Sequence, residues 1–312
     1  MAGVAAAALI VVAIPGGLGV LGHLSGPQQP PAAPTLYVAA YSSRIHTYEG
    51  TVVPINTAAN APGTPIHVPG GPNAPTIADN VGKIAITPNG KTAYVTTGSS
   101  VTPISTATGT PGKPIHIAPG ASGFDYPDFI AITPDGKTAY VAEVSDTVIP
   151  INTVTNRPGK PIRLRQGSQV YWLELTPDGK TLYALTVAGS TNRFSVTPIS
   201  TATGTPGTPI SVGAANFQGG QIGVGQIVIT PDGKTAYAAN TSGVTPINTA
   251  TGTPGKPIHI TGLIQIAITP DGKTVYAANV SDTIIPINTA TGTPGKPISV
   301  ISRLSPAIAI TP

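Results

Sequence analysis

The chain has 312 residues, with 37 glycines, 35 prolines and only 9 % charged side chains. Such Gly and Pro content suggests disorder when it lacks a period, but here it recurs at fixed offsets beside β-branched runs and reads as turn chemistry. Cysteine is absent, which excludes disulfides, thiolate metal sites and cysteine nucleophiles together. The formal charge of +4 is no nucleic-acid signal: nine of the sixteen basic residues are lysines of two repeated turns, and no basic cluster is interleaved with stacking aromatics.

From Met1 to Ser43 there is no Asp, Glu, Lys or Arg, and residues 4–14 form an unbroken apolar run. That length suits a signal-peptide core and is short for a spanning helix. Pro15, Gly16 and Gly17 interrupt it, and apolar residues resume through Leu24. Residues 1–25 are therefore expected to be a signal peptide or membrane anchor. Residues 26–34 (GPQQPPAAP) are expected to be an extended Pro-rich linker. The protein is then secreted or membrane-anchored and extracytoplasmic, touching the membrane only through this segment.

Residues 35–312 are repetitive. The segment IAITPDGKTAYVA at 130–142 recurs as IAITPNGKTAYVT from Ile84, LELTPDGKTLYAL from Leu173, IVITPDGKTAYAA from Ile227 and IAITPDGKTVYAA from Ile266. Its proline falls at Pro88, Pro134, Pro177, Pro231, Pro270 and Pro312, in steps of 46, 43, 54, 39 and 42 residues. That is near the period of four-stranded propeller blades. The apolar stretch before TPDG predicts a first strand. Thr-Pro-Asp-Gly-Lys predicts a hairpin loop, because Pro presets φ and Gly takes the left-handed position. KTAYVA, VTPIN and PGKPIHI predict the second, third and fourth strands, with proline in the last two pointing to the outer part of a blade. The fold class is all-β: a propeller of about six four-stranded blades. Its closing pair is expected between the C-terminal AIAITP at 307–312 and the N-terminal TLYVAA at 35–40. A seven-bladed or truncated form is the alternative.

These motifs resemble the YVTN-repeat β-propeller family of bacterial and archaeal exported and surface proteins, over nearly everything after the leader. The tetrapeptide itself is never intact: its places hold YVAA at Tyr37, YVTT at Tyr94, YVAE at Tyr140, YALT at Tyr183 and YAAN at Tyr237 and Tyr276. Members usually carry seven blades, so six copies depart from that number. The resemblance implies fold and compartment and brings no shared catalytic residues.

Strand order puts the monotonous TPDGK and NTATGTPGK turns on one face and the variable loops on the other. Six tyrosines share one repeat position and read as inter-blade packing, whereas the other nine aromatics fall in or beside variable loops. Aromatics and isolated charges on loops over a rigid scaffold are the materials of a binding surface. The candidate ligand-binding residues are Tyr126, Tyr171, Trp172, Phe194, Asp125 and Arg193. His67, His116 and His259 share one repeat position on separate blades and should lie too far apart to hold a metal together. Asp79, Asp125, Asp128 and Glu174 lie near converging inner strands, but their spacing matches no known cation-binding loop. No metal, other cofactor or catalytic residue is expected. The chain reads as a non-catalytic binding or scaffold propeller whose partner is a protein, a glycan or a cell-wall polymer. A metal-assisted lactonase or lyase is the alternative.

Overall fold

A computed structural model of the chain describes residues 9–11, 35–44, 47–56, 59, 61–68, 81–97, 100–117, 127–143, 145–189, 193–214, 217–218, 221–222, 225–240 and 242–300. Among them every regular element is a strand. Six antiparallel sheets of four or five strands follow one another along the chain, in a propeller-like arrangement. The first strands of the second to sixth sheets are Val81–Ile86, Pro127–Ile132, Ser168–Leu175, Gln226–Ile229 and Leu263–Ile268. They lie side by side in that order and form an inner wall.

In the first sheet the place beside Thr35–Arg44 is held by Leu9–Val11, Ile10 opposite Val38. The expected closing strand at 307–312 lies outside the described residues, and Leu9–Val11 pairs along the edge assigned to it. An inner-strand edge leaves a row of amides and carbonyls that need a partner, and a β-branched apolar segment supplies one. Among the described residues no helix is long and apolar enough to cross a membrane. The rest of residues 1–34, where a leader and a linker are expected, lies outside the described residues.

Among the described residues the core is divided. Five apolar clusters each lie between two consecutive sheets, and each contains one repeat tyrosine of the earlier sheet. Between the second and third sheets, for example, Tyr94, Val101, Ile115 and Ile117 meet Ala139, Val141, Ile149 and Ile151. The period-2 alternation of a strand explains why the second strands read as almost unbroken apolar runs. In Thr92–Thr97, Ala93 and Val95 face the preceding sheet while Tyr94 faces the following one. The tyrosine is also a clamp. Tyr37, Tyr94, Tyr140, Tyr183 and Tyr237 donate their hydroxyls to the carbonyls of Thr106, Thr153, Thr201, Thr249 and Thr289, at 3.1–3.4 Å, each in the next sheet. Tyr237→Phe should leave the Thr289 carbonyl without this donor at a cost of about 1 kcal/mol. Chemical denaturation should show a lower midpoint with an unchanged slope.

The repeated turns form a closed lattice of hydrogen bonds. At the third sheet's turn Thr133 Oγ1 lies 2.6 Å from Asp135 Oδ1, which also accepts from Lys137 N at 3.0 Å. Gly136 N donates to the Thr133 carbonyl at 2.7 Å, with Gly136 at φ 71°. These donors hold the aspartate below its ordinary carboxylate pKa, the Thr133 hydroxyl contributing most. A second reason for glycine is proximity: a Cβ on Gly179 would lie 2.9 Å from Pro134 Cδ, in the same turn of the preceding sheet. In the four turns that carry an aspartate the lysine reaches it at 3.6–3.9 Å in solvent, where such pairs contribute little.

Prolines within the third strands have a specific place. The outer strand is not continuous, as PGKPIHI suggested, but comes as two short pieces. In the fifth sheet these are Thr253–Pro254 and Ile258–His259, both paired to Gly243–Asn248. Pro246 sits opposite the gap, and its carbonyl accepts from Gly255 N at 2.7 Å. A strand residue's nitrogen and carbonyl point the same way, so the missing N–H faces the gap and no ladder bond is lost. The third strand is therefore flanked on both sides and still tolerates proline.

Candidate functional site: a pocket on the inner wall

The repeat position that begins each inner stretch carries Lys83, Phe129, Trp172, Gln226 and Gln265, directly before Ile84, Ile130, Leu173, Ile227 and Ile266. In four of the five sheets the pairing register shifts just before or at this position: between Val81 and Ile84, Pro127 and Phe129, Val170 and Trp172, and Leu263 and Gln265. A bulge inserts a residue and re-aims those that follow, which is why bulges gather beside functional sites. Lys83 N donates to Thr96 Oγ1 at 2.8 Å, which satisfies the amide that the shift frees.

Three of these inner strands enclose a pocket of about 430 Å³. Lys83, Phe129, Trp172 and Glu174 bring chemistry to it; the second, third and fourth sheets each contribute one wall. Trp172 and Phe129 lie 5.9 Å apart between ring centroids, tilted by 54°. Lys83 Nζ stands 5.8 Å from the Phe129 centroid, within cation–π range. Trp172 Nε1 donates to Glu174 Oε2 at 3.1 Å. The positions equivalent to Glu174 on the other inner strands hold Ala85, Ala131, Val228 and Ala267. Glu174 thus places an acid where the repeat otherwise has a small or branched apolar residue. It is partly open to the pocket, yet apolar neighbours surround the carboxyl, and desolvation pushes its pKa up to about 7 against the pull of the Trp172 hydrogen bond.

The residues expected to form the site do not come together as one cluster. Trp172 lines the pocket, packed on Phe129 of the preceding sheet. Tyr171, the extra residue of the bulge, packs edge-on against Phe194 at 6.2 Å and donates to Gln169 Oε1 at 2.9 Å. Burial raises its pKa. Phe194 corrects the expectation: it is fully buried in the cluster between the fourth and fifth sheets and supports Tyr171 instead of facing a ligand. Strand alternation decides this, since Phe194 shares its inward face with Val196. Arg193, its neighbour, is exposed and donates to Ser211 Oγ at 3.3 Å. Asp125 and Tyr126 lie outside the described residues. Among the cation-site acids, Asp79 also lies outside them. His67, His116 and His259 are exposed on outer strands of three different sheets.

Lys83 and Phe129 were not among the candidates, although an alignment of the repeats shows the signal. Each differs from the glutamine that Gln226 and Gln265 hold at the same distance before the TP motif, and Glu174 differs from the Ala or Val of its own position.

No family model matches the chain, and no curated protein matches it. In fold it is similar to a solved structure of hydrazine synthase from Kuenenia stuttgartiensis. The TM-score is 0.65 at 22 % identity, over 87 % of this chain and 80 % of that one. The likeness extends to the fold and no further.

Proposed function

We propose that the chain is a non-catalytic binding protein, a six-bladed propeller of the YVTN-repeat type that works outside the cytoplasm and takes its ligand in the inner-wall pocket. The observation that carries this reading is the pocket itself. The position before each inner stretch varies, and three adjacent strands place Lys83, Phe129 and Trp172 there beside Glu174, which stands where the other described inner strands have Ala or Val. Its volume suits a small molecule or one projecting unit of a protein, glycan or wall polymer. The hydrogen-bond lattice of the repeated turns, by contrast, is internally satisfied.

The sixth sheet leaves open an apolar face that ring closure would cover. Ile298 is 49 % exposed, whereas its five equivalents, Ile66, Ile115, Ile162, Ile210 and Ile258, are at most 8 % exposed beneath the following sheet. The first sheet is the natural cover.

Trp172 is the one tryptophan of the chain, so its emission reports on the pocket alone. Screening a fragment library against the purified protein should yield compounds that shift this emission and lose their effect in Phe129→Ala. A screen without hits, or hits indifferent to that substitution, would overturn the pocket reading. The lactonase or lyase alternative draws on the same carboxyl, since a pKa near 7 suits proton transfer. It demands turnover of a lactone or uronide that a chelator stops.

A further inference from the structure

Among the side chains lining the pocket, four carry polar atoms: Lys83, Trp172, Glu174 and Thr176. Thr176 Oγ1 is committed to its turn, 2.7 Å from Asp178 Oδ1 and accepting from Thr181 N at 3.1 Å. The Trp172 N–H is committed to Glu174 Oε2. Lys83 stands at the far end, across Phe129. What the pocket offers a ligand at its Trp172 end is therefore one carboxyl with an open acceptor oxygen, flanked by aromatic rings and little else. Among the described residues no lysine or arginine forms an ion pair with Glu174.

That combination selects by charge. A neutral polyhydroxylated ligand needs several donors and acceptors, which these walls lack. An anion would meet the carboxylate. A carboxylate among apolar atoms without a countercharge is costly, and a bound cation removes that cost while the ring faces attract it further. We infer that the pocket recognises a compact organic cation, a protonated amine or quaternary ammonium group, seated against Glu174 beside Trp172 and Phe129. This specificity rests on the pocket reading above and deepens it.

The inference carries a pH signature. A cation binds the ionised carboxyl, so binding releases a proton and weakens as pH falls below about 7. With one such group, affinity at pH 5.5 should be about 30-fold lower than at pH 8. Lys83 is the other ionisable side chain on the lining. Asp178, on the adjoining turn, is held ionised by the Thr176 hydroxyl and the Lys180 amide. Asp178 should not mask the change.

The test titrates choline and its uncharged carbon isostere, 3,3-dimethylbutan-1-ol, into the full chain while following Trp172 emission at pH 8 and pH 5.5. Choline should bind at least ten-fold more tightly than the alcohol at pH 8. The preference should collapse at pH 5.5, and at both pH values in Glu174→Gln, which keeps the shape and the acceptor for Trp172. Circular dichroism of that variant checks that it is folded. An alcohol that binds as well as choline would overturn the inference while leaving a working pocket. A choline response that survives Glu174→Gln unchanged, or no choline response at all, would overturn it as well. The fragment screen then judges the pocket separately.

Discussion

Gly243→Ala should unfold the fifth sheet, lowering stability by about 4 kcal/mol or more and leaving little folded protein to purify. Gly243 opens the third strand of that sheet at φ 137°, a region that residues with a side chain rarely enter. It pairs with Asn240 on one side and His259 on the other. A Cβ there would overlap the carbonyl oxygen of Ile258 and lie 2.9 Å from Ile260 N. Both obstacles are backbone, so nothing can swing aside without breaking the pairing of the outer strand. Gly292→Ala is the matched control. Its φ is 65°, but a Cβ there meets nothing within 4 Å. It should cost only about 1 kcal/mol, the left-handed penalty alone. Thermal melts of the two variants should separate clearly, and equal melting temperatures would show that the outer strand is free to yield.

Glu174→Gln should stabilise the protein, and more so at higher pH. The carboxyl's pKa rises from an ordinary 4.5 to about 7 on folding, because its apolar surroundings penalise the charge. The folded chain therefore keeps a proton that the unfolded chain releases between these values. Stability falls as pH climbs through that window, and the full cost is present above it. The shift corresponds to at most about 3 kcal/mol, and the carboxyl's opening toward the pocket reduces it, so about 1–3 kcal/mol is expected. Glutamine removes the charge but still accepts from Trp172. The variant and the parent should have equal stability near pH 4, and the variant should lead at pH 8. Equal denaturation midpoints at pH 8 would mean that the carboxylate is already compensated, which would also remove the reason for a cationic ligand.

The departure of the third sheet from the repeat shows how closely sequence and packing are linked. Where four of the other turns place Gly109, Gly204, Gly252 and Gly292 in the left-handed region, this one has Asn156 at φ 54°. Asparagine is among the few residues that accept this conformation. Its side-chain amide lies 2.7 Å from the Tyr94 hydroxyl, which also donates to Thr153. The substitution thus adds a second contact to one inter-sheet clamp. The repeat itself announced the turn, but the contact to Tyr94, 62 residues away, is visible only in three dimensions.

The sequence by itself determined the architecture. Strands, turns and the shared position of the tyrosines are local properties, written by a period-2 pattern, by Pro and Gly at fixed turn offsets, and by repetition at about 40 residues. The existence of aromatic and charged departures from the repeat was equally legible. Only the tertiary structure decided which of those departures meet. Tyr171 and Trp172 are adjacent in the chain, yet a bulge sends one toward Phe194 and the other toward Phe129 in the preceding sheet. Glu174 is visible in LELTPDG as an acid at an apolar position, but only in the fold do Trp172 and the neighbouring strands withdraw water from its carboxyl. A strand pattern specifies which face a side chain takes. The company it keeps there depends on how neighbouring sheets pack, and that is where a charge acquires its cost and a pocket its selectivity.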